Sequence, residues 1–266
     1  MRRLSFVVCG IAAGAVALAG CATTTTQGVA APAATVKTVA DLAHLMSSKT
    51  AAAHTAHVKL DVEAAGKDIT VTGQVEFAGA ASKLQMNMTI PSVGAMDMEL
   101  IGSTMYLKLP AGLVPTEKPW VKFDPNGTDP ASKALSGLIS QEQQNLDPTK
   151  MLGELAPVAT ITKSGKDTVD GQPATRYAIS VDTQKLLKSP LVAPQLRQTF
   201  SASGAKLPAH MNYVMWLNSA NLPVKFTLNE TVSGQQIAVT ANYTDWGQPV
   251  SITAPPADQV GPLPTH

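Results

Sequence analysis

The 266 residues carry 20 Lys and Arg against 19 Asp and Glu, with no run of like charge. That balance excludes the basic footprint nucleic-acid binding requires. Both cysteines, Cys9 and Cys21, lie near the N-terminus, so the rest of the chain has no thiol or disulfide and must be held by an apolar core.

The first twenty residues read as a signal peptide. Arg2 and Arg3 supply the positive start, Leu4 to Ala19 is uncharged, and Leu18-Ala19-Gly20-Cys21 has the pattern of a lipobox. The small residues suit a narrow peptidase site, and the Cys21 thiol is the expected point of lipidation. The uncharged stretch is shorter than the roughly 20 residues a membrane span needs. Several acyl chains on one cysteine hold a protein that one chain retains only marginally, at about 0.8 kcal/mol per buried methylene. Location is therefore expected on the extracytoplasmic face of the cell membrane. Residues 21–35, with neither charge nor periodicity, read as a flexible tether of about 20 Å reach.

From Val36 to Ala53 the apolar residues Val36, Val39, Ala40, Ala43 and Met46 recur at helical spacing, with Leu42 and Leu45 widening the stripe. A turn is expected at His54–His57. The period then changes to two. Val58, Leu60 and Val62 alternate with Lys59, Asp61 and Glu63; Ile69, Val71, Gly73, Val75 and Phe77 alternate with polar residues. Leu84, Met86, Met88 and Ile90 repeat the pattern, as do Met96, Met98 and Leu100. Four such segments with turn-compatible joints predict an antiparallel meander, one face apolar and one wet. It continues through 105–109 and 120–123.

Residues 128–156 predict two helices, opening at Asp129-Pro130 and Asp147-Pro148, where proline suits a first helical position. Strands follow at 159–164 and 175–181, around a turn at Val169-Asp170-Gly171. Another helix is expected over 183–201, then strands at 209–218, 222–232 and 236–245. Residues 36–254 read as a single domain of α+β class, and 255–266 as a flexible Pro-rich tail.

Chemistry is sparse. His54-x-x-His57 lacks a third ligand at any familiar spacing, no G-x-S-x-G or phosphate loop occurs, and no cysteine remains for catalysis. Asp97 and Glu99 fall on the wet side of their strand, and Asp245 and Glu230 are expected to face solvent. Neither enzymatic activity nor a cofactor or metal is expected. The apolar face is more suggestive. Met86, Met88, Met96 and Met98 share it, with Met46, Met105 and Met151 nearby, and methionine adapts to variable apolar partners or fills core gaps.

Several segments together resemble the mycobacterial lipoprotein family that includes LppX, LprA, LprF and LprG. They are the lipobox, Ile101-Gly102 with Met105-Tyr106-Leu107, Lys118-Pro119-Trp120-Val121-Lys122, Asp147-Pro148, Val169-Asp170-Gly171 with Thr175-Arg176-Tyr177, Val214-Met215-Trp216-Leu217 with Leu222-Pro223, and Tyr243 with Asp245-Trp246-Gly247 and Pro249-Val250. Asn218 stands where that family often has an acidic residue. The resemblance implies a LolA/LolB-like fold: a strongly curved antiparallel half-barrel, helices covering its concave face, and a cavity between. It also implies binding of acylated lipids or glycolipids and their carriage across the envelope, with a transporter as a partner. Candidate cavity-lining residues are Val58, Leu60, Val62, Ile69, Val71, Val75, Phe77, Leu84, Met86, Met88, Met96, Met98 and Leu100. The second reading is a structural or interaction lipoprotein whose core is filled.

Overall fold

The computed structural model describes residues 36–64, 66–90, 94–110, 112, 117–123, 148–189 and 207–261. The lipobox, the tether and the helix expected at Asp129-Pro130 lie outside them.

Helix α1 (Val39–Ala53) begins where Thr38 and Asp41 satisfy each other's backbone. The Asp41 N–H donates to Thr38 Oγ1 at 3.1 Å, and the Thr38 N–H donates to Asp41 Oδ2 at 2.9 Å. This reciprocal pair closes two of the donors a helix start leaves open. The helix stops at His54, whose φ of 63° is left-handed. His57 does not share that turn: it already belongs to β1.

Six strands follow: β1 (Thr55–Ala64), β2 (Lys67–Glu76), β3 (Lys83–Ile90), β4 (Gly94–Ile101), β5 (Thr104–Lys108) and β6 (Trp120–Phe123). After α2 (Pro148–Leu155) come β7 (Ala159–Val169) and β8 (Gln172–Asp182). Helix α3 (Thr183–Lys188) then precedes β9 (His210–Asn218), β10 (Pro223–Val232), β11 (Gln235–Thr244) and a two-residue β12 (Val260–Gly261). The hairpin turns at Asp170-Gly171 and Ser233-Gly234 each hold two consecutive residues at positive φ. That twist matches the flanking strands.

All twelve strands form one sheet, in the order β12-β6-β5-β4-β3-β2-β1-β11-β10-β9-β8-β7. Two meanders are thus stitched together by β1 against β11, from His57 opposite Thr244 to Ala64 opposite Ile237. Every pairing is antiparallel except β12 on β6.

Apolar residues gather in two cores. In the first, Val39, Leu42, Ala43 and Met46 of α1 and Leu152 of α2 pack on Tyr177, Ile179, Val181, Met215 and Leu217 of β8 and β9. The second lies at one end of β1–β6: Ala56, Val75, Phe77, Leu84, Leu100, Val121 and Phe123, flanked by Met86, Met98, Met105, Leu107 and Trp246. Trp246 stacks on Phe77 and donates its Nε1–H to the Pro223 carbonyl, tying the end of β11 to both meanders.

Residues after β11 do not fray at 254. The Gly247 N–H donates to the Thr55 carbonyl, and the Ser251 N–H donates to Gln74 Oε1. Ile252 is buried, and Val260 pairs with Trp120. Pro255 and Pro256 suit an extended segment, and β12 gives the outer side of β6 a partner for its backbone groups, while 262–266 lie outside the described residues.

Candidate functional site

The register places apolar side chains in continuous rows across the helix-bearing face. One row runs Met96, Met88, Val71, Leu60, Ala241, Phe226, Met215, Tyr177, from β4 to β8. The next runs Ile69, Val62, Val239, Leu228, Tyr213, Ile179, Ile161, from β2 to β7. Phe226 and Tyr213 pack against the α1 core, which shows that both rows share its side of the sheet.

Burial is uneven along these rows. Tyr177, Ile179, Met215, Ala241 and Val71 are buried, whereas Met96, Met88, Leu60, Ile69, Val62, Val239, Leu228 and Phe226 are half-buried. An apolar stripe on the inner side of a sheet is ordinarily covered. Here its middle and one end keep contact with solvent.

The thirteen candidate lining residues divide accordingly. Val71, Val75, Phe77, Leu84 and Leu100 are buried, all but Val71 within the second core. Val58, Leu60, Val62, Ile69, Met86, Met88, Met96 and Met98 are half-buried. Met46 lies on the buried face of α1 and fills the core between that helix and the sheet. Sequence reasoning missed Val239 and Leu228, which carry the same rows into the second meander. Their alternation is visible, but only the β1–β11 pairing sets them beside Val62.

Gly73 interrupts its own row between Val58 and Met86. A Cβ there would run into the Gln85 carbonyl oxygen, so β2 and β3 approach too closely for any side chain.

Two acidic residues depart from expectation. Glu230 does not simply face solvent. It continues the Phe226, Leu228 alternation, stands opposite Ile237, and is half-buried on the helix-bearing face. Its Oε1 accepts the Asn212 backbone N–H at 2.5 Å. Burial first, and then the Glu230 charge, push the Tyr213 phenol above its usual range. Glu99 lies on the opposite face as expected, yet it is 93 % covered, being only 7 % exposed. Burial raises its carboxyl above the usual range, a bond from Gln85 opposes this, and Asp97 adds to it. Gln85 in turn accepts from Gln74, the residue that holds Ser251, so Glu99 sits in the row the C-terminal segment crosses.

On that same opposite face, Trp216 carries the Arg176 guanidinium and the Lys225 ammonium over its ring, each 5.7 Å from the centroid. Its Nε1–H donates to Asp167 Oδ2 at 2.9 Å. A small hollow of about 150 Å³ opens at one sheet end beside Ala174, Asn218, Val224 and Tyr243. Among the described residues no group of His, Cys, Asp or Glu could hold a metal, and no helix is long and apolar enough to cross a membrane.

Against solved structures, the chain aligns with lipoprotein LppX of Mycobacterium tuberculosis at a TM-score of 0.50, covering 81% of this chain and 98% of LppX at 12% identity. The fold is LppX-like. Weaker likenesses reach MucB in complex with MucA (TM-score 0.35, 14% identity, 83% of this chain and 58% of MucB) and a DUF1329 family protein from Desulfovibrio piger (TM-score 0.28, 13% identity, 78% and 90%). No family model and no curated protein sequence matches. The expected antiparallel architecture is therefore present as a large LppX-like sheet with few helices.

Proposed function

We propose that this protein is a membrane-anchored lipoprotein that binds acylated lipids or glycolipids against the helix-bearing face of its sheet and carries them across the cell envelope. One observation carries the reading: rows of aliphatic and methionine side chains, continuous over seven and eight strands, remain half-buried at Leu60, Val62, Ile69, Met88, Met96, Leu228 and Val239. Leaving such surface wet costs about 25 cal/mol per Å². An acyl chain laid along the rows recovers that, and leaves a bilayer without net loss of apolar cover. In this reading the sheet is a strongly curved half-barrel, concave toward the helices, and the half-buried rows line its hollow.

The LppX-like fold supports the reading, since LppX is itself a lipoprotein. Residues 1–20 act as the export signal, Cys21 carries the acyl anchor, 21–35 lift the domain off the extracytoplasmic surface, and a transporter in the envelope supplies or receives the cargo. The role is one of binding, without catalysis.

Native mass spectrometry of the full chain, purified from its source bacterium, tests this. The expected result is a solvent-extractable adduct with the mass of an acylated lipid, and uptake of a fluorescent acyl probe by the emptied protein. Unloaded protein that takes up no probe would favour the filled-core, structural lipoprotein instead. Separately, Cys21→Ser is expected to move the protein out of the detergent phase; retention there would refute the anchor.

A further inference from the structure

On β10, Phe226, Leu228 and Glu230 point to one side, and the first two belong to the apolar rows. Glu230 therefore places a carboxylate on a greasy face, opposite Ile237 and one row beyond Val239 and Leu228. It is half-buried, and one oxygen is committed: Oε1 takes the Asn212 N–H where the β9–β10 ladder ends at Leu228 opposite Tyr213. Among the described residues no Lys, Arg or His forms an ion pair with it. By register the base on its row is Lys67, opposite Ala64, which lies opposite Ile237. That is three strand spacings away, about 14 Å, and Lys67 is exposed. The neighbour within reach is Tyr213, whose hydroxyl lies 3.8 Å from Met211 Sδ, a weak acceptor at best.

We propose that Glu230, with the Tyr213 hydroxyl, is the headgroup end of this face, selecting acylated ligands whose headgroups are uncharged and rich in hydroxyls, such as glycerol or sugar, and rejecting phosphate-bearing ones. The inference rests on the lipid-binding reading above. An ionised carboxylate can only accept hydrogen bonds. A hydroxyl can donate to Oε2 as a charge-assisted bond, while a phosphate held beside the half-buried carboxylate meets like charge. Specificity then comes as much from what the site repels as from what it holds. If Glu230 served only to close the end of the ladder, glutamine would do so equally, because its Oε1 accepts the same N–H.

The test uses the full chain loaded with a fluorescent fatty-acyl probe at neutral pH, displaced by dioleoylglycerol or by dioleoylphosphatidate in neutral detergent micelles. Wild type is expected to prefer the diacylglycerol by about tenfold, and Glu230→Gln to bring the two within about twofold. Tyr213→Phe, which keeps the ring against Phe226 5.5 Å away, is expected to weaken the diacylglycerol about threefold and leave the phosphatidate unchanged. Equal displacement of wild-type probe by the two lipids, or an unaltered preference in Glu230→Gln, overturns the headgroup assignment while leaving lipid binding intact. Failure of wild type to take up any probe overturns lipid binding and this assignment together.

Discussion

The same face of one sheet behaves differently at its two halves. Over β8 and β9, α1 and α2 seal the apolar rows until Val181 and Leu217 have no exposure at all. Over β1–β4 the rows are just as apolar, yet Leu60, Ile69, Met88 and Met96 stay half-exposed. Apolar character does not separate the halves, since both rows are hydrophobic throughout. What separates them, among the described residues, is what lies on top: α1 and α2 pack on the β8–β9 half, and neither contributes to the core at β1–β6. In the reading proposed above, stability and binding are carried by different stretches of one continuous stripe.

That division can be broken or sharpened by substitution. The largest effect belongs to the sealed half. Leu42→Ala, at a fully buried α1 residue, is expected to cost about 2–5 kcal/mol by urea unfolding. The matched truncation Met88→Ala should cost less than about 1.5 kcal/mol, half-exposed as it is, but lower acyl-probe uptake. Equal destabilisation by the two would erase the distinction. Next is Gly73→Ala, expected to lose about 1–3 kcal/mol because β2 and β3 must part at Gln85; a neutral result would mean the strands have slack there. Thr38→Ala removes one half of the α1 cap and should cost about 1 kcal/mol, confined to the sealed half in hydrogen exchange.

The smallest effect concerns Glu99. Its carboxyl is raised in the folded protein, so it holds its proton more tightly folded than unfolded. Its protonated form thus favours folding fully below about pH 4, and that contribution fades as pH rises through the raised value. Glu99→Gln is expected to flatten the loss of stability across that window in pH-dependent unfolding. A slope identical to wild type would show that the carboxylate is solvated after all.

Much of the architecture was legible beforehand because strand alternation and turn residues are local. The β1–β4 pattern, the Asp170-Gly171 turn, the Asp-Pro start of α2 and the α1 stripe all follow from short-range geometry. The site was legible only in part. Met88 and Ile69 announced an apolar face, but the sequence does not say that β1 pairs with β11, and without that pairing Val239 and Leu228 have no place beside Val62. Glu230 was misjudged although the period-two pattern of Phe226 and Leu228 already places it on the apolar face, and Glu99 was misjudged for a different reason. Alternation assigns a side of a strand, whereas burial depends on what crosses that side, and distant segments decide that.

By itself the sequence determined the elements, their faces and an apolar interior built without disulfides, since periodicity and backbone preference act over a few residues. Tertiary structure alone decided which parts of that interior are sealed, where the C-terminal segment runs, and that Glu99 is covered on the outer face. Those outcomes depend on contacts between residues far apart in the chain, which no local pattern encodes.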